Sequence, residues 1–249
     1  MPTLDLISGA EPFYIRGGAT GCLLLHGFTA TPNEVRDLGH YLNRQGYTVL
    51  GPRLAHHASK PDDMRRSRYH DWYLSALDGW HLLDGHCQQI IVAGMSMGGS
   101  TALLLAARQP VAGVVAMSAP VHMPPDPRLR IVRYYGRVRP FLPKPWWDES
   151  QQASRYPVTP TVALHELQEY LQAVDAALPE VQVPALLMHS RTDLTVTPDN
   201  MEHIYAALGS EQKEMVWWDD AEHVMTEDPL HQQAVFERVA EFVDHCKPA

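Results

Sequence analysis

The chain has 249 residues, 45% of them hydrophobic and 20% charged, a balance that excludes extensive disorder and supplies enough apolar surface for a large core. Its 29 acidic against 20 basic side chains leave a net charge of −9, which repels phosphate backbones and argues against nucleic acid as a partner. No run approaches the roughly 18 apolar residues of a membrane span, so no stable membrane insertion is expected.

Short apolar runs alternate with longer amphipathic ones. In chain order, strands are expected at Pro12–Ile15, Cys22–His26, Tyr47–Gly51, Gln89–Gly94, Val111–Ser118, Ala185–Ser190 and Glu214–Trp218. The runs Leu23-Leu24-Leu25 and Ile90-Ile91-Val92-Ala93 are apolar without alternation, as in strands covered on both faces. Pro32 suits the first helical position after Thr31 and begins a helix toward Asn43. Tyr73, Leu77, Trp80 and Leu83 recur at helical spacing, as do Val235, Val239, Phe242 and Cys246. The alternation predicts an α/β fold with a mostly parallel central sheet and helices on both faces.

One region departs from this rhythm. Nine of the 20 prolines fall between Pro120 and Pro160, among Tyr134, Tyr135, Phe141, Trp146 and Trp147. Helical spacing returns over Val162–Ala177 through Leu164, Leu167, Leu171 and Val174. The expectation is a core made of residues 1–120 and 181–249, with 121–180 inserted as a cap over the sheet's carboxyl edge. About 60 residues are marginal for an independent domain, so the cap should lean on the core.

Gly94-Met95-Ser96-Met97-Gly98 matches G-x-S-x-G and stands between an apolar strand and a helical run. As a string the match is weak, but a serine on a tight strand-to-helix turn is forced into a strained backbone that presents its hydroxyl above the sheet. The helix that follows directs its amino-terminal dipole toward developing negative charge. Ser96 is therefore the candidate nucleophile. His26-Gly27-Phe28 follows a buried strand, and the backbone N–H groups of Phe28 and Met97 are the candidate oxyanion-hole donors. His26 is read as shaping that loop, with no part in proton transfer.

Fourteen histidines make any one weak evidence, but His223 lies in the exit loop of the last strand. Asp193 lies in the exit loop of the strand before it. Both loops open at the carboxyl edge, where Ser96 must be. The chain order Ser96, Asp193, His223 is that of a hydrolase triad on this fold. Asp219 and Asp220 sit too near His223 in sequence to reach behind its ring, and Asp199 suits a first helical turn. The expected chemistry is acyl transfer from a small-molecule ester, with no metal and no organic cofactor required.

These residues resemble the α/β-hydrolases, specifically small bacterial carboxylesterases and monoacylglycerol-lipase-like esterases. The landmarks are Leu24-Leu25-His26-Gly27-Phe28-Thr29, Gly46-Tyr47-Thr48, Ala93 to Gly99, Asp193 with Pro198, and Glu222-His223-Val224. The resemblance implies hydrolysis of short- to medium-chain carboxylic esters under a small cap. Relatives often carry Gly-His-Gly after the fourth strand, where this chain has His56-His57-Ala58, a departure that bears on local turn geometry.

Other features have plainer readings. Arg128, Arg130, Arg133, Arg137, Arg139 and Lys144 run without an intervening acid and are read as a solvated helix face. Met97 and Met123 are candidates to line a substrate pocket beside Phe28, whereas Met95 suits the core equally well. Trp146-Trp147 and Trp217-Trp218 are read as packing, and His56-His57 has no accompanying ligands at metal-site spacing. Met1-Pro2-Thr3-Leu4-Asp5 lacks the basic and apolar parts of a signal peptide, and Cys22, Cys87 and Cys246 form no disulfide framework, so a cytoplasmic setting is expected. An amidase, C–C hydrolase or acyltransferase would use the same triad, and a non-catalytic receptor could share the scaffold.

Overall fold

The computed structural model describes residues 6–123, 132–136, 138–144, 149 and 153–246. Arg128, Arg130, Arg137, Trp146 and Trp147 lie outside the described residues, as does the side chain of Arg133. In chain order the strands are β1 (Phe13–Ile15), β2 (Thr20–Leu25), β3 (Thr48–Gly51), β4 (Gln89–Met95), β5 (Gly113–Met117), β6 (Phe141–Pro143), β7 (Val158–Pro160), β8 (Ala185–Ser190) and β9 (Lys213–Trp218). The helices are α1 (Arg36–Arg44), α2 (Pro61–Met64), α3 (Tyr69–Asp84), α4 (Met97–Arg108), α5 (Val132–Tyr135), α6 (Thr161–Ala177), α7 (Asp199–Ala207) and α8 (Gln232–His245).

Seven strands form one sheet in the order β1-β3-β2-β4-β5-β8-β9. β1 runs antiparallel to β3 at one edge, and every other pairing is parallel. These are the seven strands expected from the sequence, with shifts at their ends. The separate antiparallel pair β6 and β7 was not foreseen, because strands of three residues are too short to show a period. Pro32 opens a 3-10 turn over Pro32–Val35, not the α-helix itself, and Thr31 caps it by accepting the Asn33 N–H at 3.3 Å. α1 follows immediately.

The unbroken apolar runs are explained by two buried faces. Successive strand side chains point to opposite sides. Leu23, Leu25, Ile90, Val92, Val114, Ala116 and Leu187 join one core with α3, α4 and α6. Cys22, Leu24, Ile91, Ala93, Met95, Val115, Met117, Leu186 and Met188 join the other with α1 and α8. Truncating one of these leucines to alanine would cost about 2–5 kcal/mol. α6 buries Leu167, Tyr170, Leu171 and Val174 in the first core, so the chain between β5 and β8 is anchored in the body by this helix.

The strand ends are level where it matters. Leu25 pairs with Gly94, Met95 with Met117, and Met117 with Met188. The loops after β2, β4, β8 and β9 therefore open along one carboxyl edge.

His56-His57-Ala58 follows β3, the third strand in chain order, and His56 and Ala58 hold φ of 65° and 61°. The departure from Gly-His-Gly thus places side chains on two left-handed positions that glycine occupies without steric cost. His57 between them is fully buried, donates Nδ1–H to the Ala55 carbonyl at 3.1 Å, and packs edge-on against His26 and Trp72. His56→Gly is expected to raise stability by about 0.5–1 kcal/mol, or about 1–4 °C in Tm, since relieved strain exceeds the added unfolded-state entropy. Ala58→Gly should come out near neutral, because the same relief is offset by loss of a buried methyl. Thermal melts of both variants check this.

Candidate active site

Ser96 stands between β4 and α4 with φ 54° and ψ −124°. Such a conformation is costly for a residue with a Cβ and persists only where its surroundings enforce it. Two glycines allow that enforcement. A Cβ on Gly94 would collide with the Gly98 carbonyl, and a Cβ on Gly98 with the Leu25 carbonyl, so α4 can cross this close to β2 and β4 only without them. The Ser96 N–H is fixed by the Met117 carbonyl at 2.8 Å.

Asp193 and His223 come to the same point from the loops after β8 and β9. His223 Nε2 lies 3.2 Å from Ser96 Oγ, and His223 Nδ1 lies 2.6 Å from Asp193 Oδ2. A carboxylate can only accept, so the proton sits on Nδ1, and Nε2 is free to accept from the serine hydroxyl. The Asp193 side chain is fully buried. Its Oδ1 accepts the N–H groups of Thr195 and Val196 at 2.8 and 3.0 Å. Burial opposes its ionisation, but hydrogen bonds from His189, His223 and the Val196 amide outweigh that and hold the carboxyl well below the usual carboxylate range. His189, on β8 with Nε2 3.4 Å from Asp193 Oδ2 and 3.0 Å from the Val196 carbonyl, carries no sequence mark that distinguishes it from the other histidines.

The rival acids are engaged elsewhere. Asp219 pairs with Arg191 at 3.2 Å, Asp220 with His231 at 3.0 Å, and Asp199 with His122 at 2.8 Å.

Gly27 and Phe28 lie beside Ser96, with the Ser96 Cβ 3.3 Å from where a Gly27 Cβ would be. Met97 is the first residue of α4, so its N–H is one of the amides without an intrahelical acceptor. His26 is buried and, through desolvation, its pKa falls to about 4. The Leu54 N–H donates to its Nε2 at 3.2 Å and its Nδ1–H donates to the Gly27 carbonyl at 3.0 Å. This neutral ring supports the loop.

A cavity of about 700 Å³ opens over Ser96 and His223. Phe28, Met97 and Met123 line it, with Leu164, Leu167 and Leu171 from α6. Met95 is in the sheet core. Trp217 packs under Arg191, whose guanidinium lies 4.5 Å from the ring centre. Lys144 departs from the expected solvated face: half-buried, it lines the cavity and donates to Thr29 Oγ1. Its pKa falls to about 8 because of desolvation.

The wall also carries charged residues that the sequence did not mark out. Glu34 is buried and accepts the Gly27 N–H at 2.6 Å. Arg155 lies between Glu34 and Glu227, and desolvation raises the Glu34 carboxyl to about 7 against the pull of Arg155. Glu34 sits in the first turn after a proline, where an acidic residue is ordinary, so only the tertiary fold marks it out.

The chain is 37% identical over 243 residues to a thermostable monoacylglycerol lipase from Bacillus sp. (strain H-257), with 95% of each covered. It is 29% identical to a carboxylesterase from Bacillus subtilis (strain 168), over 94% of this chain and 96% of that one. A solved structure described with the metagenome-derived lipolytic enzymes LipS and LipT superposes with a TM-score of 0.91 at 32% identity, covering 97% of this chain and 100% of the other. The profile of the alpha/beta hydrolase family runs across residues 22–237, from the first buried strand to the last helix. With that span matched on a sheet of this order, the chain belongs to the alpha/beta hydrolase family.

Proposed function

We propose that this carboxylic ester hydrolase works through Ser96 as nucleophile, His223 as general base and then acid, and Asp193 as the carboxylate that orients and charges the imidazole. The observation that carries the reading is the continuous line from Asp193 Oδ2 through the imidazole to Ser96 Oγ, over 2.6 and 3.2 Å. His223 Nε2 takes the hydroxyl proton as Ser96 Oγ attacks the acyl carbonyl. The N–H groups of Phe28 and Met97 stabilise the tetrahedral oxyanion, a contribution of about 10²–10³ in rate per donor in such sites. The imidazolium then protonates the departing alcohol. Water, activated by the same ring, hydrolyses the acyl-enzyme and restores the serine.

Short- to medium-chain esters and monoacylglycerols are the proposed substrates. Their support is the apolar wall of Met97, Met123, Leu164, Leu167 and Leu171, together with the name of the lipase relative. Residues 121–180 are proposed to cap the site, since Leu142, Pro143, Lys144, Arg155 and Thr159 also line the cavity. In this reading α6 serves both as cavity wall and as the cap's attachment to the core.

A fluorophosphonate probe is expected to add one phosphonyl group to the native chain, seen by intact mass, and none to Ser96→Ala. An unmodified native chain would remove the assignment. Asp193→Asn should lower kcat by about 10³–10⁴ with KM little changed, because the amide favours the wrong imidazole tautomer. Across p-nitrophenyl esters from acetate to palmitate, kcat/KM is expected to peak at about four to ten acyl carbons, as an apolar pocket of this size rewards buried methylenes until it is filled.

A further inference from the structure

The charged groups on the cavity wall beside the Gly27–Phe28 loop are distinct from the Ser96–His223–Asp193 line, and their arrangement is that of a clamp. Gly27 has no Cβ to restrict its dihedral angles, yet the Gly27–Phe28 peptide carries a proposed oxyanion donor. Both ends of residue 27 are tied. Its N–H donates to Glu34 Oε2 at 2.6 Å. Its carbonyl accepts from His26 Nδ1 at 3.0 Å and from the Ala30 N–H at 3.2 Å. The carbonyl and N–H of one trans peptide point in opposite directions, so holding the Gly27 carbonyl aims the Phe28 N–H.

Glu34 is held in turn from two other parts of the chain. Arg155 Nη2 lies 4.0 Å from Glu34 Oε1 and also hydrogen-bonds Glu227, which is in the same loop as His223. The backbone beside Arg155 is stapled to the oxyanion loop as well: the Tyr156 N–H donates to the Thr29 carbonyl at 3.0 Å and the Thr31 N–H to the Ser154 carbonyl at 2.8 Å. One guanidinium therefore meets a carboxylate from the 3-10 turn that follows the Phe28 loop and one from the loop that presents His223. Glu34 and Arg155 are buried and Glu227 is half-buried, and ion pairs that lose water add little net stability because desolvation offsets attraction, so stability alone does not account for placing these three groups at the reacting edge.

We propose that Glu34 is a positioning residue for ester hydrolysis, holding the Phe28 N–H where the oxyanion forms, and that Arg155 fixes this carboxylate relative to the His223 loop through Glu227. The proposal deepens, and rests on, the assignment of Ser96, His223, Asp193 and the Phe28 amide above. Glu34 acts through Gly27 and touches no reacting atom.

The test compares the native chain with Glu34→Ala and Glu34→Gln, using p-nitrophenyl butyrate as substrate and a trifluoromethyl ketone of matching chain length as an oxyanion-forming inhibitor. For Glu34→Ala, kcat should fall about 10–100-fold with KM within about threefold, and ketone affinity should weaken by about the same factor as kcat/KM, since both report the oxyanion. Glu34→Gln keeps an acceptor for the Gly27 N–H and should recover about three- to tenfold of that loss. If Glu34→Ala does not fold, the isosteric Glu34→Gln alone should show a fall of about 3–10-fold in kcat, mirrored in the ketone Ki. Variants within about twofold of native in both readouts, or a raised KM at unchanged kcat, would overturn the proposal. A native chain that hydrolyses the ester and takes up fluorophosphonate alongside such unchanged variants overturns this inference alone. A native chain inert to both overturns the parent assignment and this inference with it.

Discussion

The backbone of Ser96 is the constraint on which the rest of the site depends. A left-handed conformation at a residue with a Cβ is unfavourable by itself, and here it is imposed by three surrounding elements at once. β4 delivers the chain, the Met117 carbonyl in β5 holds the Ser96 amide, and α4 leaves at once over bare Gly94 and Gly98. With α4 pressed against β2, Met97 at the start of the helix lines the same cavity as Phe28. The turn therefore aligns the hydroxyl, one proposed oxyanion donor and the helix dipole in a single step.

That turn is stable because the sheet beneath it is buried on both faces. The alternation of Leu23 and Leu25 against Cys22 and Leu24 divides the apolar side chains between two helix layers. A parallel sheet so covered keeps its strand ends in register, and loops separated by more than a hundred residues in sequence then arrive at one edge. Strain is not confined to the serine, for Thr29, His56, Ala58 and Ser118 share the left-handed region. Thr29 borders the cavity, while His56 and Ala58 hold a buried histidine that packs under His26.

Electrostatics divides the cavity. On the acid side of the imidazole, Asp193 is fully buried yet strongly stabilised as a carboxylate by amides and histidines. Beside Gly27, Glu34 is also buried and accepts the Gly27 N–H, and desolvation raises its proton affinity. The same residue chemistry thus takes opposite protonation tendencies within one site: at Asp193 hydrogen bonds and the His223 ring outweigh burial, whereas at Glu34 burial outweighs the pull of Arg155.

The seven sheet strands, their parallel arrangement and the Ser96 turn were legible in the sequence, because apolar runs, helical spacing and paired glycines are local consequences of burial and sterics. His223, Asp193 and Ser96 could be nominated from their places after strands, and the structure brings them into contact. β6 and β7, the inward position of Lys144, and the meeting of Glu34, Arg155 and Glu227 were not legible. Three-residue strands have no measurable period. Charges far apart in the chain give no sign of meeting in space. By itself the sequence determined which segments must be covered and where the chain must turn, since those depend on neighbouring residues. Which polar groups lose water together was decided only by the packed fold, because desolvation and Coulomb attraction act through space and are blind to distance along the chain.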